Sequence, residues 1–216
     1  MSVLDEGTSE YWRSQYDNFL VPDNPSAFAN FCSLHFGAQK DVSLIDLGCG
    51  NGRDAVYFCS FFPEVIGIDA SAAALSSAAQ LGSARGQSFR LVEADFAEEE
   101  FDLLTLSPYV LYSRFTLHSL SAGQEAKLFS SISRQSRALY LCIETRSVGD
   151  ALYGIGKKVD EDAYFSDHFR RFSVPDELRN KLSELGNIEI FEEDTGFAPR
   201  GTDDPMLIRA IVKLGS

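Results

Sequence analysis

Leu44-Ile45-Asp46-Leu47-Gly48-Cys49-Gly50-Asn51-Gly52-Arg53-Asp54 joins a short apolar run to glycines at positions 48, 50 and 52. The run reads as a strand and the glycines as a nucleotide-binding loop leaving it, because residues without a Cβ adopt positive φ and let a flat ligand approach the backbone. The spacing departs from the dinucleotide fingerprint G-x-G-x-x-G, whose third glycine permits tight helix–strand packing; that position holds Arg53. Asp46 is a second departure, since a carboxylate ending the strand repels a pyrophosphate. The loop suits a ligand that is cationic and free of phosphate.

The 216 residues suffice for one domain with a substantial core and no covalent staples. With 19 basic against 32 acidic side chains and a formal charge of −13, the chain opposes binding to phosphate backbones, so no nucleic-acid partner is expected. Cys32, Cys49, Cys59 and Cys142 show no C-x-x-C spacing, and Cys49 lies inside the glycine loop; they read as free thiols in a reducing compartment. Uncharged stretches such as residues 103–113 fall short of the roughly 18 residues that span a bilayer. The acidic N-terminal start lacks a signal pattern. The expectation is a cytoplasmic chain without membrane contact.

Outward from the loop, short apolar strands alternate with amphipathic helices, the pattern of a parallel sheet covered on both faces. Two helices precede the first strand and make residues 1–40 a helical cap. One covers residues 9–20; the other has Asn24 as N-cap, Pro25 in its first turn, Phe28, Phe31, Cys32 and Phe36 on one stripe, and Gly37 as its stop. Strands over 42–47, 64–69 and 88–93 are separated by a helix over 53–61 and an Ala-rich helix capped by Ser71. Pro108 prevents residues 101–106 and 109–113 from forming one central strand, and the later segment is preferred as the fourth. Ser121 and Gln124 make a capping box for a helix with Leu128, Phe129 and Ile132 inward, before a fifth strand over 138–143. Residues 144–172 read as a long irregular insertion. Ser173 and Pro175 then open a helix with Leu178, Leu182 and Leu185 inward, ending at Gly186. Strands over 188–191 and 206–214 follow with no helix between, which makes them antiparallel.

Asp46 with Gly48, Gly50 and Gly52 resembles the acid-x-Gly-x-Gly-x-Gly loop of the class I S-adenosylmethionine-dependent methyltransferases, small-molecule type, and the likeness runs over residues 42–214. The resemblance implies a Rossmann-like α/β fold in a single domain over residues 1–216. Its seven-stranded sheet is mostly parallel, ends in an antiparallel hairpin and carries helices on both faces. It further implies S-adenosylmethionine as cofactor, S-adenosylhomocysteine as product, and no metal. On this resemblance the glycine loop passes the methionine part of the cofactor, Asp69 grips both ribose hydroxyls, Asp95 accepts from the adenine amino group and Phe96 lends its N–H to the ring. Asn51, Ala70 and Ser113 stand beside the same ligand. Trp12 and Tyr16 on the first helix either close over the cofactor or belong to that helix's core stripe; Phe96 has the same two readings.

After the fourth strand, Arg114 and His118 fall near the reactive end of the cofactor. His118 is either the base that takes a proton from an acceptor hydroxyl or amine, or a histidine satisfied in the core. Glu144, a second candidate base, and Arg146 end the fifth strand, and ligands of open parallel sheets gather at such ends. His168, Arg170 and Arg171 concentrate positive charge on the substrate-side insertion, residues 144–172; they form an anion-binding patch or pair with Asp160, Glu161, Asp162 and Asp167 beside them. Methyl transfer from a sulfonium needs no protein nucleophile. The chain accordingly has no G-x-S-x-G elbow, and His35, His118 and His168 are too scattered for a zinc site. The expected function is methyl transfer to an oxygen or nitrogen of a small, anionic metabolite; an NAD-type oxidoreductase and a catalytically silent S-adenosylmethionine-binding regulatory module are the alternatives.

Overall fold

Ten strands and five α-helices form in the residues that the computed structural model describes, 22–97, 101–201 and 203–215. The helix expected over residues 9–20, with Trp12 and Tyr16, lies outside them. β1 (Ser43–Leu47), β2 (Val65–Asp69), β3 (Arg90–Glu93), β4 (Tyr109–Arg114) and β5 (Ala138–Arg146) pair in parallel, while β10 (Leu207–Leu214) lies antiparallel between β5 and β9 (Gly186–Asp194). The order is β3-β2-β1-β4-β5-β10-β9, the expected seven-stranded sheet. It reverses direction between β1 and β4, so the loops leaving these two strands diverge and open a crevice at their carboxyl ends.

Alternation along the strands divides the side chains between two cores. Leu44, Val110, Tyr112, Cys142 and Ile211 pack under α1 (Ala27–Phe36) and α2 (Arg53–Phe58), against Phe28, Cys32 and Phe58. Ile45, Ile68, Leu111 and Ile208 face the opposite side, with Leu128 and Ile132 of α4 (Ala122–Ile132) and Leu178 and Leu182 of α5 (Pro175–Leu185). α3 (Ala72–Ala84) covers β2 and β3. Each fully buried Leu, Ile or Phe contributes about 1.5–3 kcal/mol, so two such layers hold the carboxyl-end loops on a rigid frame.

The expected caps form at Ser71, whose hydroxyl accepts the Ala74 N–H at 3.3 Å, and at Ser121 with Gln124. Three local expectations are corrected. The N-cap of α1 is Ser26 instead of Asn24: its extended backbone aims its hydroxyl at the Ala29 N–H (3.0 Å), and Pro25 falls outside the helix. α2 ends at Phe58, three residues early, because the next turn tightens through a Phe61 N–H to Phe58 carbonyl bond of 2.8 Å. The stretch from residue 144 is not irregular throughout. β5 continues to Arg146, and β6 (Lys157–Asp160), β7 (Ala163–Phe165) and β8 (Phe169–Arg171) form a separate antiparallel sheet. Its strands have three or four residues, too short for alternation to show in sequence. Among the described residues no helix is long and apolar enough to cross a membrane, and the four cysteines are free.

Candidate active site

Gly48, Gly50 and Gly52 have φ of 68°, 57° and 74°, the left-handed region that Cβ-bearing residues avoid. Space is equally restrictive: a Cβ on Gly48 would collide with the Thr116 methyl group, and one on Gly52 would lie 2.8 Å from the Ala78 Cβ. The loop is held from the next strand. Asp69 accepts the Gly50 N–H through Oδ2 and the Ser71 N–H through Oδ1, both at 2.9 Å. Each oxygen retains acceptor capacity, which two vicinal hydroxyls would use.

Asp46 is 3% exposed and has no hydrogen-bond partner among the described residues. Burial, then the negative charges of Asp54 and Asp69, push its carboxyl well above the usual carboxylate range. The charges of Arg114 and Arg53 act in the opposite direction. A carboxylate that accepts no hydrogen bond among the described residues, beside the glycine loop, suits a ligand carrying an ammonium and a sulfonium. Asp54, by contrast, is satisfied: it accepts from Ser26 N (2.7 Å), Ser26 Oγ (2.8 Å) and Tyr112 Oη (2.8 Å), tying α1, α2 and β4 together.

The other expected cofactor residues divide. Asn51 donates to the Pro22 carbonyl at 3.1 Å and fastens the segment before α1 to the loop. Ala70 and Asp95 are exposed at the ends of β2 and β3, and the Asp95 carboxylate accepts the Ala97 N–H at 3.0 Å. Phe96 is 8% exposed and belongs to the core cluster of β1 and β4, the core reading of that residue. Ser113 is buried with its hydroxyl on that of Thr116.

Across β4, β5 and β10 the register aligns Arg114, Glu144 and Arg209 in one row. Both Glu144 oxygens are taken, Oε1 by Arg114 Nε at 2.8 Å and Oε2 by Arg209 Nε at 2.7 Å. Glu144 is thereby held as the counter-charge of two arginines, a pairing that its position at a strand end did not reveal. The next residue after Arg114, Phe115, has φ of 56°, an outlier for a bulky side chain. Its ring lies 4.2 Å from the Arg114 guanidinium carbon and 5.6 Å from the His118 ring.

His118, on the short 3₁₀ turn Leu117–Ser119, is 4% exposed, and its Nδ1 has no partner among the described residues. Burial, with Arg146, His168, Arg170 and Arg114 around it, pushes its pKa well below the usual imidazole value, so the ring is neutral. His168 stands 6.5 Å away, lowered by burial to about 4. The expected anion patch does not assemble as a set of free cations. Arg146 pairs with Asp150 (2.7 Å) and Asp203 (3.3 Å), and Arg170 pairs with Asp167. Arg171 is removed from the site altogether: buried, it donates to the Leu120 carbonyl at 2.9 Å and pairs with Glu125. That bond docks β8 on the turn carrying His118.

Sequence reasoning overlooked Arg53, Thr116 and Arg209. Arg53 was visible only as a departure from the dinucleotide fingerprint, and Arg209 left a signal as an arginine inside the otherwise apolar run Leu207-Ile208-Arg209-Ala210-Ile211-Val212.

Comparison with known proteins agrees with this geometry. A family profile described as methyltransferase domain matches residues 44–138. The Saccharomyces cerevisiae "Probable S-adenosylmethionine-dependent methyltransferase CRG1" is 40% identical over 68 residues, 31% of this chain and 23% of that protein; the match spans about a quarter of its length. An S-adenosylmethionine-dependent methyltransferase structure from Anabaena variabilis superposes with a TM-score of 0.72 at 20% identity, over 100% of this chain and 96% of the other. The Burkholderia thailandensis 1,6-didemethyltoxoflavin-N1-methyltransferase, solved with its acceptor and S-adenosylhomocysteine, gives a TM-score of 0.70 at 16% identity, covering 100% and 92%. Residues 44–138 thus resemble a methyltransferase domain, and the whole sheet has the fold of S-adenosylmethionine-dependent methyltransferases.

Proposed function

We propose that the chain transfers the methyl group of S-adenosylmethionine to an oxygen or nitrogen of a small, anionic metabolite. The observation that carries the donor half is the Asp46 carboxylate, buried beside the glycine loop with no hydrogen-bond donor among the described residues, and Asp69 one strand over. Asp46 would take the ammonium, Asp69 the ribose hydroxyls, and Gly48, Gly50 and Gly52 the close approach of the amino-acid chain; the cofactor, when bound, supplies an electrophilic methyl on its sulfonium. The buried position of the site excludes water from the transfer.

The acceptor half rests on His118. Its Nδ1 is unpartnered, its ring is neutral, and the groups acting on it, Arg146, His168, Arg170 and Arg114, are all basic. These arginines are ion-paired, but their terminal nitrogens near His118 would still donate to an acceptor bearing negative charge. With Glu144 held between two arginines, His118 is the proton acceptor in this reading. The family relationships support the same donor, and the N-methyltransferase from Burkholderia shows a nitrogen acceptor on the same fold.

Incubation with methyl-labelled S-adenosylmethionine and a panel of small carboxylates, phenols and amines tests this. Labelled product is expected, with turnover in His118→Gln reduced by about 10²-fold or more. Cofactor binding without labelled product from any acceptor would favour the silent regulatory module instead. Stabilisation by NADH but not by S-adenosylhomocysteine would favour the oxidoreductase.

A further inference from the structure

Arg53 and Arg114 are two part-buried guanidiniums near Asp46: Arg53 touches Asp54, whose other oxygen accepts from Tyr112, and Tyr112 lies opposite Asp46 across β1 and β4, two residues before Arg114; the fold leaves most of their hydrogen-bonding capacity unused. Arg53 opens α2 directly after Gly52, with 15% of its side chain exposed, and its only ion pair among the described residues is a 3.8 Å contact of Nε with Asp54. Arg114 ends β4 beside β1, with 16% of its side chain exposed. Its Nε is fixed by Glu144 at 2.8 Å and its plane lies over Phe115, so both terminal amino groups point away from the ion pair and have no partner among the described residues. Arg146, Arg170 and Arg171, in contrast, spend their terminal nitrogens on Asp150, Asp203, Asp167 and Glu125. Asp54 and Glu144 engage only the Nε atoms of Arg53 and Arg114, so the terminal nitrogens remain open to an incoming anion, and a guanidinium with a free terminal edge matches a carboxylate in two parallel bonds.

We propose that Arg53 and Arg114 form a clamp for the α-carboxylate of the cofactor's amino-acid part. The inference rests on the cofactor reading above and deepens it. Asp46 and the two arginines then make a receptor for both charges of an amino acid at the mouth of the glycine loop. Arg114 thereby leaves the acceptor side, where it was first expected, and Phe115 with Glu144 positions it. The clamp explains why the loop carries Arg53 where a dinucleotide site needs a third glycine.

Calorimetry separates this from the alternatives, using S-adenosylhomocysteine and its decarboxylated analogue, which keeps the amine and lacks only the carboxylate. Wild type is expected to bind the analogue more weakly by about tenfold or more. Arg53→Gln and Arg114→Gln should each lose a comparable factor for S-adenosylhomocysteine while binding the analogue as wild type does, which also shows that they are folded. Equal binding of both ligands by wild type, or equal weakening of both ligands in the variants, overturns the clamp and leaves the cofactor reading standing; the first outcome also fits an arginine that serves the acceptor's carboxylate. No binding of either ligand by wild type overturns the cofactor reading and the clamp together.

Discussion

Asp69 accepts the backbone N–H of Gly50 at 2.9 Å, so the acid that ends β2 also shapes the loop that leaves β1. One carboxylate thus preorganises the glycine turn and, in the function proposed above, would also take the ribose hydroxyls. Asp69→Ala should lose both roles. Wild-type chain at 100 times the dissociation constant of S-adenosylhomocysteine gains about 2.7 kcal/mol, and the variant is expected to show no ligand-induced rise in Tm. A variant that retains the full shift would remove Asp69 from the site.

Gly48 has positive φ, and any Cβ there meets the Thr116 methyl. Gly48→Ala should cost about 1–3 kcal/mol through overpacking, with further loss from backbone strain. Adding Thr116→Ser deletes the offending methyl and keeps the hydroxyl that meets Ser113. Denaturant titration should show partial recovery in the double variant, because the steric cost goes and the strain stays. Purely additive losses would mean that the two residues do not touch.

Arg171 and Arg170 are neighbours with opposite fates. Arg171 is buried between Leu120 and Glu125, so Arg171→Ala leaves Glu125 with only Lys181 and should cost about 3–5 kcal/mol. Arg170 pairs with Asp167, which is 51% exposed, and Arg170→Ala should change stability by less than about 1 kcal/mol. Thermal unfolding of the two variants side by side measures the difference; equal shifts would contradict the anchoring role of Arg171.

Stability should fall on mild acidification. His168 is lowered by burial from 6.5 to about 4 in the fold. Between those values the unfolded chain binds a proton that the native chain refuses, so stability decreases as pH drops through this window. His118, also lowered by burial, acts with the same sign. Asp46 acts against it, since its raised pKa lets the native state hold a proton above 3.8. His168→Asn should flatten the pH dependence between about 6.5 and 4 by up to about 1.4 kcal/mol per pH unit. A slope identical to wild type would show that His168 titrates normally.

The elements that sequence reasoning recovered are those with strong local grammar. β1, β2 and β4 are runs of apolar residues bounded by glycine, proline or a cap, and Ser71 and the Ser121–Gln124 box name their helices directly. The loop glycines announce themselves because residues bearing a Cβ rarely adopt their φ. β6, β7 and β8 escaped because three or four residues give no period, and the cap of α1 was misplaced because Asn24, Pro25 and Ser26 compete within one turn and only the contact of Ser26 with Asp54 settles which wins. The pairing of Glu144 escaped for a related reason. A carboxylate at a strand end looks like a base until its neighbours are known, and Arg114 and Arg209 come from strands about 30 residues before it and 65 after.

By itself the amino-acid sequence determined the strand–loop–helix unit around Asp46, the acid at position 69, the parallel sheet and its antiparallel end, because each depends on backbone preference or periodicity within a few neighbouring residues. Only the tertiary structure decided which charges are spent and which are free: Arg171 buried under Leu120, Arg146 and Arg170 neutralised, Glu144 shared, Arg53 and Arg114 still open, His118 left without a partner. Those outcomes depend on strand register and on the docking of β8, which bring together residues tens of positions apart, and pairing at such range leaves no trace in local pattern.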